Sequence, residues 1–224
     1  MLPNTPIITK TEIKKLRSYS DDYAYTLLNR LKKKNRIRQI KKGKYTAIDN
    51  AYVIFSNLYI PSYISFWSAS YIKGYTEQIV NTIHVITTKN YPAIDFENYH
   101  VEFHRFKKRF FFGYEKVNHG KYFVFIADDE KLLLDCLLLQ ENIGNFDELK
   151  KLIINASINE EKIVDYLNRI NSTALNKRVG FLLEYYKGID ISSKVEKDRN
   201  YALLTRYNKP EVIDNKWRVK HDLN

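Results

Sequence analysis

Residues 20–48 constrain the fold of this chain most, because they combine a capped amphipathic helix with a basic hairpin. Ser20 is suited to the N-cap of a helix, and two aspartates follow it where the helix dipole favours acids. Beyond the helix, a Lys-Lys-Gly-Lys turn at residues 41–44 separates two short strands, and Gly43 can supply the positive φ of the turn. The apolar residues that recur at helical spacing on one face are Ala24, Leu27, Leu28 and Leu31.

A shorter helix is predicted ahead of this segment, at residues 9–16. Thr9 and Glu12 have the spacing of a capping box, in which each side chain bonds the other residue's backbone amide. Residues 17–20 then form the turn, and Asn35 is expected to end the second helix in a left-handed conformation. Helix, turn, helix and hairpin in about 40 residues indicate a winged helix-turn-helix.

The second helix carries amide, hydroxyl and cationic side chains opposite its apolar stripe, as a helix in the major groove requires. Asn pairs with adenine, Arg or Lys with guanine, and Thr contacts a thymine methyl. The cations of the hairpin are expected to meet phosphates or enter the minor groove. An ordinary solvated helix face is the alternative interpretation. The candidate DNA-binding residues are Tyr25, Thr26, Asn29, Arg30, Lys33, Arg36, Arg38, Lys41, Lys42 and Lys44.

Net charge is concentrated in the same segment. Residues 1–50 hold 13 Lys and Arg against 4 Asp and Glu, a net of +9, whereas the other residues hold 24 against 22. A segregated basic excess is the footprint of a module that binds a polyanion. Double-stranded DNA is therefore the predicted partner.

The fold class predicted for the whole chain is α+β. Residues 1–50 form the winged helix-turn-helix domain, and residues 51–224 form a mixed domain with an antiparallel sheet of about four strands and a C-terminal helical part. The later helices are predicted at residues 51–60, 63–73 (capped by Ser62), 132–139 (capped by Asp128), 146–156, 159–170 and 172–187. The strands are predicted at residues 82–88, 98–106, 110–117 and 121–126, with a last one at 217–219.

The sequence does not indicate an enzyme, and we predict no catalytic residue, metal or cofactor. Asp95 and Glu97 have the spacing of a nucleotidyltransferase carboxylate pair, but no Gly-Ser loop precedes them. His100 and His104 share a strand face, yet no Asp or Glu stands at an obvious position to complete a metal site. Paired surface histidines are the preferred interpretation. An enzyme of unrecognised type is kept as an alternative.

The cell compartment is expected to be the cytoplasm. No apolar run approaches the ~20 residues that span a bilayer, and the first residues do not resemble a signal peptide. The one cysteine, Cys136, excludes an intramolecular disulfide and lies in a leucine-rich run. We expect a buried, inert thiol there.

Nearly the whole chain resembles the AbiEi family of type IV antitoxins. No motif is a catalytic signature, so the resemblance depends on their order, and the chain departs from the family pattern at Asp129 and Leu133. The motifs are YTLLNRL at 25–31, KGKY at 42–45, PSYISFWSA at 61–69, GYTEQ at 74–78, FGY at 112–114, IADDEK at 126–131, KRVGFLLE at 177–184 and WRV at 217–219.

The resemblance implies an antitoxin that represses its own transcription. Its winged helix would bind inverted repeats in its own promoter, and its C-terminal domain would counteract a nucleotidyltransferase-like toxin. Such pairs are thought not to need a stable complex. Two alternatives remain open, a protein-binding module that sequesters a partner directly and a plain transcriptional regulator with no toxin partner.

Overall fold

A computed structural model describes residues 2–78, 80–139, 145–205 and 211–223, and these form the α+β fold that the sequence predicts. No helix in the described ranges is both long and apolar enough to cross a membrane. The helices are α1 (Lys10–Arg17), α2 (Asp21–Lys33), α3 (Ala51–Leu58), α4 (Phe66–Ile72), α5 (Asp129–Leu138), α6 (Phe146–Asn155), α7 (Glu160–Ile170) and α8 (Thr173–Lys187). The strands are β1 (Arg38–Lys41), β2 (Lys44–Thr46), β3 (Ser62–Ile64), β4 (Thr82–Thr87), β5 (Ile94–Phe96), β6 (Tyr99–Arg105), β7 (Tyr114–His119), β8 (Tyr122–Ala127), β9 (Ala202–Leu203), β10 (Val212–Asp214) and β11 (Val219–His221).

The chain divides into two compact units, each built from separate segments. The first unit contains Met1–Ile64, Asn81–Arg105 and Lys116–Ile126, and the second contains the remaining segments. Residues 1–50 therefore share a compact unit with three later stretches of chain. The functional boundary after residue 50 stays a prediction.

The predicted start of α2 is confirmed, whereas the capping box of α1 is wrong. Ser20 accepts a hydrogen bond from the Tyr23 amide at 3.3 Å. Thr9 stands at the N-cap of α1, but its hydroxyl donates to the Glu12 carboxylate, and its side chain caps no amide in the described structure. An ionised carboxylate is a strong acceptor, which accounts for this arrangement. Asn35 has a φ of +52°, as expected after α2.

The two helices and the β1–β2 hairpin share one small core. Ile8 forms a two-way backbone bridge with Tyr45, with N···O distances of 2.7 and 2.9 Å. The segment before α1 therefore lies alongside the hairpin and closes the core from that side. The buried residues of this core are Ile8, Ile13, Ala24, Leu28, Ile37 and Tyr45.

The main sheet of the first unit is mixed and has six strands in the order β5-β6-β4-β3-β8-β7. The predicted four-stranded antiparallel sheet is therefore wrong. Strand β4 pairs in parallel with β6, and β3 pairs in parallel with β8 at Ile64 and Ile126. Local sequence patterns indicate strands but not their partners, so the parallel pairings were not foreseen.

The helix predicted at residues 63–73 is wrong at its start. Ser62–Ile64 form strand β3, every residue of which is buried, and the helix begins only at Phe66. A short apolar run cannot be assigned to strand or helix by periodicity alone. The pairing with β4 on one side and β8 on the other determines the strand conformation here.

The helices of the second unit begin close to the predicted positions because side chains cap them. Asp128 accepts from the Lys131 amide at 2.8 Å at the start of α5, and Asn159 accepts from the Lys162 amide at 3.0 Å at the start of α7. Gly188, with a φ of +68°, ends α8 as predicted. Cys136 is buried within α5, and this burial raises the pKa of its thiol. The tail contributes a three-stranded sheet in the order β10-β11-β9.

Candidate nucleic-acid interface

Helix α2 presents its predicted polar face to solvent. Ala24 and Leu28 on the opposite face are buried, which fixes how the helix is rotated against its core. Tyr25 is 63% exposed, and the side chain of Asn29 is half-buried. The other three candidate residues of the helix, Thr26, Arg30 and Lys33, are exposed. The five candidate residues of α2 are thus accessible to a ligand.

Two ion pairs connect helix α1 to the start of α2. Lys10 and Lys14 lie 2.8 and 2.5 Å from the carboxylate oxygens of Asp21. The two ammonium groups hold the pKa of Asp21 at about 2. All three side chains are exposed, so the pairs contribute little to stability.

A side-chain hydrogen bond connects the end of α2 to the hairpin. Lys32 Nζ donates to Gln39 Oε1 on β1 at 2.5 Å. The register of β1 with β2, in which Arg38 lies opposite Thr46, is antiparallel and contains an irregularity next to the turn. Gly43 has a φ of +78° in that turn, as the sequence predicts.

Arg38, predicted to contact phosphate, is directed at acids of its own unit. Its guanidinium lies 2.9 Å from Asp49 and 2.5 Å from Glu97, and it also donates to the Ile48 carbonyl. It stacks over the Phe96 ring at 5.6 Å. Glu97 is 59 residues away in sequence, so no local pattern could have revealed this pairing.

Lys41 and Lys44 are also engaged within the first unit, where both lie close to Tyr59. Lys41 Nζ donates to the Tyr59 hydroxyl at 2.6 Å, and Lys44 Nζ donates to the Leu58 carbonyl at 2.5 Å. Both ammonium groups lie over the Tyr59 ring, 5.0 and 4.7 Å from its centroid. Partial burial, and then repulsion from Lys41, lower the pKa of Lys44. Tyr59 itself stacks on Tyr91, with centroids 3.6 Å apart.

Four candidate cations remain available for a polyanion. Within the part of the chain that the structure describes, they are exposed and form no ion pair: Arg30, Lys33, Arg36 and Lys42. Two come from α2, one from the connection to β1, and one from the turn of the hairpin. The ten residues predicted from the sequence thus divide into seven accessible residues, of which Asn29 is half-buried, and the three internally engaged cations Arg38, Lys41 and Lys44.

The carboxylates Asp95 and Glu97 are not arranged as a pair for two metal ions. Asp95 accepts from His100 Nδ1 at 2.6 Å, whereas Glu97 lies beyond the end of β5 with a φ of +55° and binds Arg38. Each carboxylate therefore has a separate cationic or imidazole partner in the first unit.

Comparison with known proteins finds similarity to solved structures. No protein-family model matches the chain, and no curated protein matches it in sequence. The fold is similar to the crystal structure of the RV2827C protein from Mycobacterium tuberculosis, with a TM-score of 0.63 and 12% sequence identity. The match covers 97% of this chain and 86% of that chain. At this identity the similarity extends to the fold alone.

Proposed function

We propose that the chain binds double-stranded DNA upstream of its own gene as a winged helix-turn-helix repressor. Helix α2 would enter the major groove, and the hairpin β1–β2 would act as the wing. The observation that supports this most is the exposed polar face of α2, followed along the chain by the exposed cations Arg36 and Lys42. A face of this composition offers base contacts, and the flanking cations offer phosphate contacts.

The same proposal includes an antitoxin role, which rests on the resemblance to the AbiEi family. Residues 51–224 would counteract a nucleotidyltransferase-like toxin encoded beside this gene. Co-expression with that gene should restore growth of a host that the toxin arrests. Co-purification of the two proteins would then separate direct sequestration from neutralisation without a stable complex.

The engaged and exposed lysines of the hairpin give a matched test of the DNA proposal. Lys42→Ala should weaken binding to the upstream DNA roughly tenfold at about 0.1 M salt and reduce the salt slope by about one, because one fewer counterion is released. Lys44→Ala should have a smaller effect, since its ammonium is already bound to the Leu58 carbonyl. Fluorescence anisotropy over a salt series measures both quantities.

Lys89→Ala is the control for a general loss of positive charge, because Lys89 is exposed in the first unit outside α2 and the hairpin. It should leave the affinity unchanged. If the parent protein binds its upstream DNA no better than unrelated DNA at low salt, the proposal of a sequence-specific repressor is wrong. If Lys42→Ala, Lys44→Ala and Lys89→Ala lower the affinity for the upstream DNA equally, the hairpin does not act as the wing.

Asn29→Ala tests base reading separately from phosphate contacts. The loss of a bidentate amide contact should cost about 1–3 kcal/mol of discrimination between the operator and a variant operator. Affinity for unrelated DNA should stay nearly unchanged. Competition binding with operators altered one base pair at a time measures this ratio, and unaltered discrimination would exclude Asn29 from base reading.

A further inference from the structure

The parallel pairing of β4 with β6 brings together histidines that the sequence keeps apart. His84 lies opposite Glu102 in the register, and Ile86 lies opposite His104. Residues in register on parallel strands, and residues two apart on one strand, project from the same face. His84, Glu102 and His104 therefore converge on one face of the main sheet of the first unit.

The three side chains are close enough to share one ion. His84 Nδ1 lies 3.0 Å from His104 Nε2, and each of these nitrogens lies 3.5 Å from Glu102 Oε2. Ligand atoms of a tetrahedral zinc ion lie roughly 3.3 Å apart, because the bonds are about 2.0–2.1 Å long. The triangle of donor atoms matches one face of such a tetrahedron.

The chemistry and burial of the donors fit the same ion. Two imidazole nitrogens and one carboxylate oxygen are a ligand set that zinc uses where a fourth position is left for water. His84 and His104 have side chains that are 10% and 15% exposed, whereas Glu102 is 39% exposed, so the cluster is reached from the carboxylate side.

Two further side chains lie near the carboxylate of Glu102. His100 Nε2 lies 3.7 Å from Glu102 Oε1, the oxygen that does not face the histidine pair. The other ring nitrogen of His100 contacts Asp95 at 2.6 Å. Outer side chains that hydrogen-bond to metal ligands fix the orientation of those ligands in proteins, and His100 is the side chain placed for this role.

We propose that His84, Glu102 and His104 form a zinc-binding site on β4 and β6, with His100 and Asp95 as supporting residues. The sequence analysis treated His100 and His104 as paired surface histidines and overlooked Glu102, which lies between these two histidines on β6. It also overlooked His84, because only the pairing of β4 with β6 brings that residue close. The ion would connect two neighbouring strands of the sheet. The proposal is independent of the DNA-binding function.

Titration of the full-length, tag-free protein with Co²⁺ and then Zn²⁺ tests the site. We expect one equivalent of Co²⁺ to give the visible absorption of a four-coordinate ion and Zn²⁺ to displace it. Zinc should also raise the temperature of thermal unfolding, because a ligand that binds the folded state stabilises it. No saturable binding, or binding without a four-coordinate spectrum, would overturn the proposal.

Variants distinguish the cluster from adventitious binding. Glu102→Gln retains the shape of this half-exposed side chain and should weaken Zn²⁺ binding at least tenfold, as should His104→Ala. His100→Ala should weaken it about tenfold through loss of the outer contact. His119→Ala alters an exposed histidine outside the cluster and should have no effect. If His104→Ala fails to fold by circular dichroism, Glu102→Gln decides, and unchanged affinity in Glu102→Gln rejects the site.

Discussion

The free energy of unfolding should fall by about 3–5 kcal/mol in the Asp135→Ala variant, because the substitution removes one partner of a buried ion pair. The Lys131 ammonium and the Asp135 carboxylate lie one helical turn apart on α5, and both side chains are 0% exposed. Asp135 also accepts from Ser65 Oγ at 2.7 Å. Without the carboxylate, the buried ammonium loses the opposite charge that balances it. Urea unfolding followed by circular dichroism measures the loss.

A double variant separates the cost of the unbalanced charge from a simple loss of packing. Lys131→Met combined with Asp135→Leu replaces both partners by apolar groups and should recover most of the lost stability, since buried pairs are often replaceable in this way. The Phe106 and Phe112 rings, which lie 4.8 and 5.3 Å from Lys131 Nζ, already provide apolar surroundings. A loss below about 1 kcal/mol for Asp135→Ala would contradict the role assigned to the pair.

The pH dependence of stability provides a second measure of the same lysine. Burial lowers the pKa of Lys131 below its ordinary value of 10.5, and Asp135 partly opposes this shift. Between the lowered pKa and 10.5 the unfolded chain binds more protons at this site, so the contribution of Lys131 to stability rises with pH. Asp135→Ala should extend that window to lower pH. The variant should then regain stability, relative to the parent protein, as the pH is raised toward 10.5.

Gly180→Ala is the second substitution with a large expected effect, a net loss of about 2–3 kcal/mol from overpacking. A Cβ atom at Gly180 would lie 2.0 and 2.1 Å from two ring atoms of Trp217. The ring cannot easily move away, because it is 1% exposed and its Nε1 donates to Glu184 Oε2 at 2.6 Å. Alanine is favoured over glycine in a helix by about 1 kcal/mol, and the clash must exceed this gain. Thermal and urea unfolding measure the net effect.

Removing the Trp217 ring beside α8 should reverse the sign of the stability change that Gly180→Ala causes. In a Trp217→Leu background the ring is absent, so Gly180→Ala should be neutral or stabilising by up to about 1 kcal/mol. Non-additivity of the two changes would therefore measure the contact directly. A destabilisation by Gly180→Ala that is equal in both backgrounds would show that Trp217 is not its cause.

Local sequence signals accounted for most helix boundaries because they act over one turn. Ser20, Asp128 and Asn159 accept from amides three residues later, so each cap is visible in the adjacent sequence. Gly43 likewise marks its turn through a positive φ. The apolar stripe of α2 also predicted which of its faces is exposed. The α+β class follows from these signals together.

The sequence by itself therefore determined the helices, the basic hairpin and the location of the charge excess. Only the tertiary structure decided which of those charges stay available, since Glu97 and Tyr59 reach the hairpin from β5–β6 and from the end of α3. It also decided that β4 pairs in parallel with β6, which places His84 beside His104. Capping and periodicity depend on neighbours within a few residues, whereas strand pairing and ion pairs depend on residues that only folding brings together.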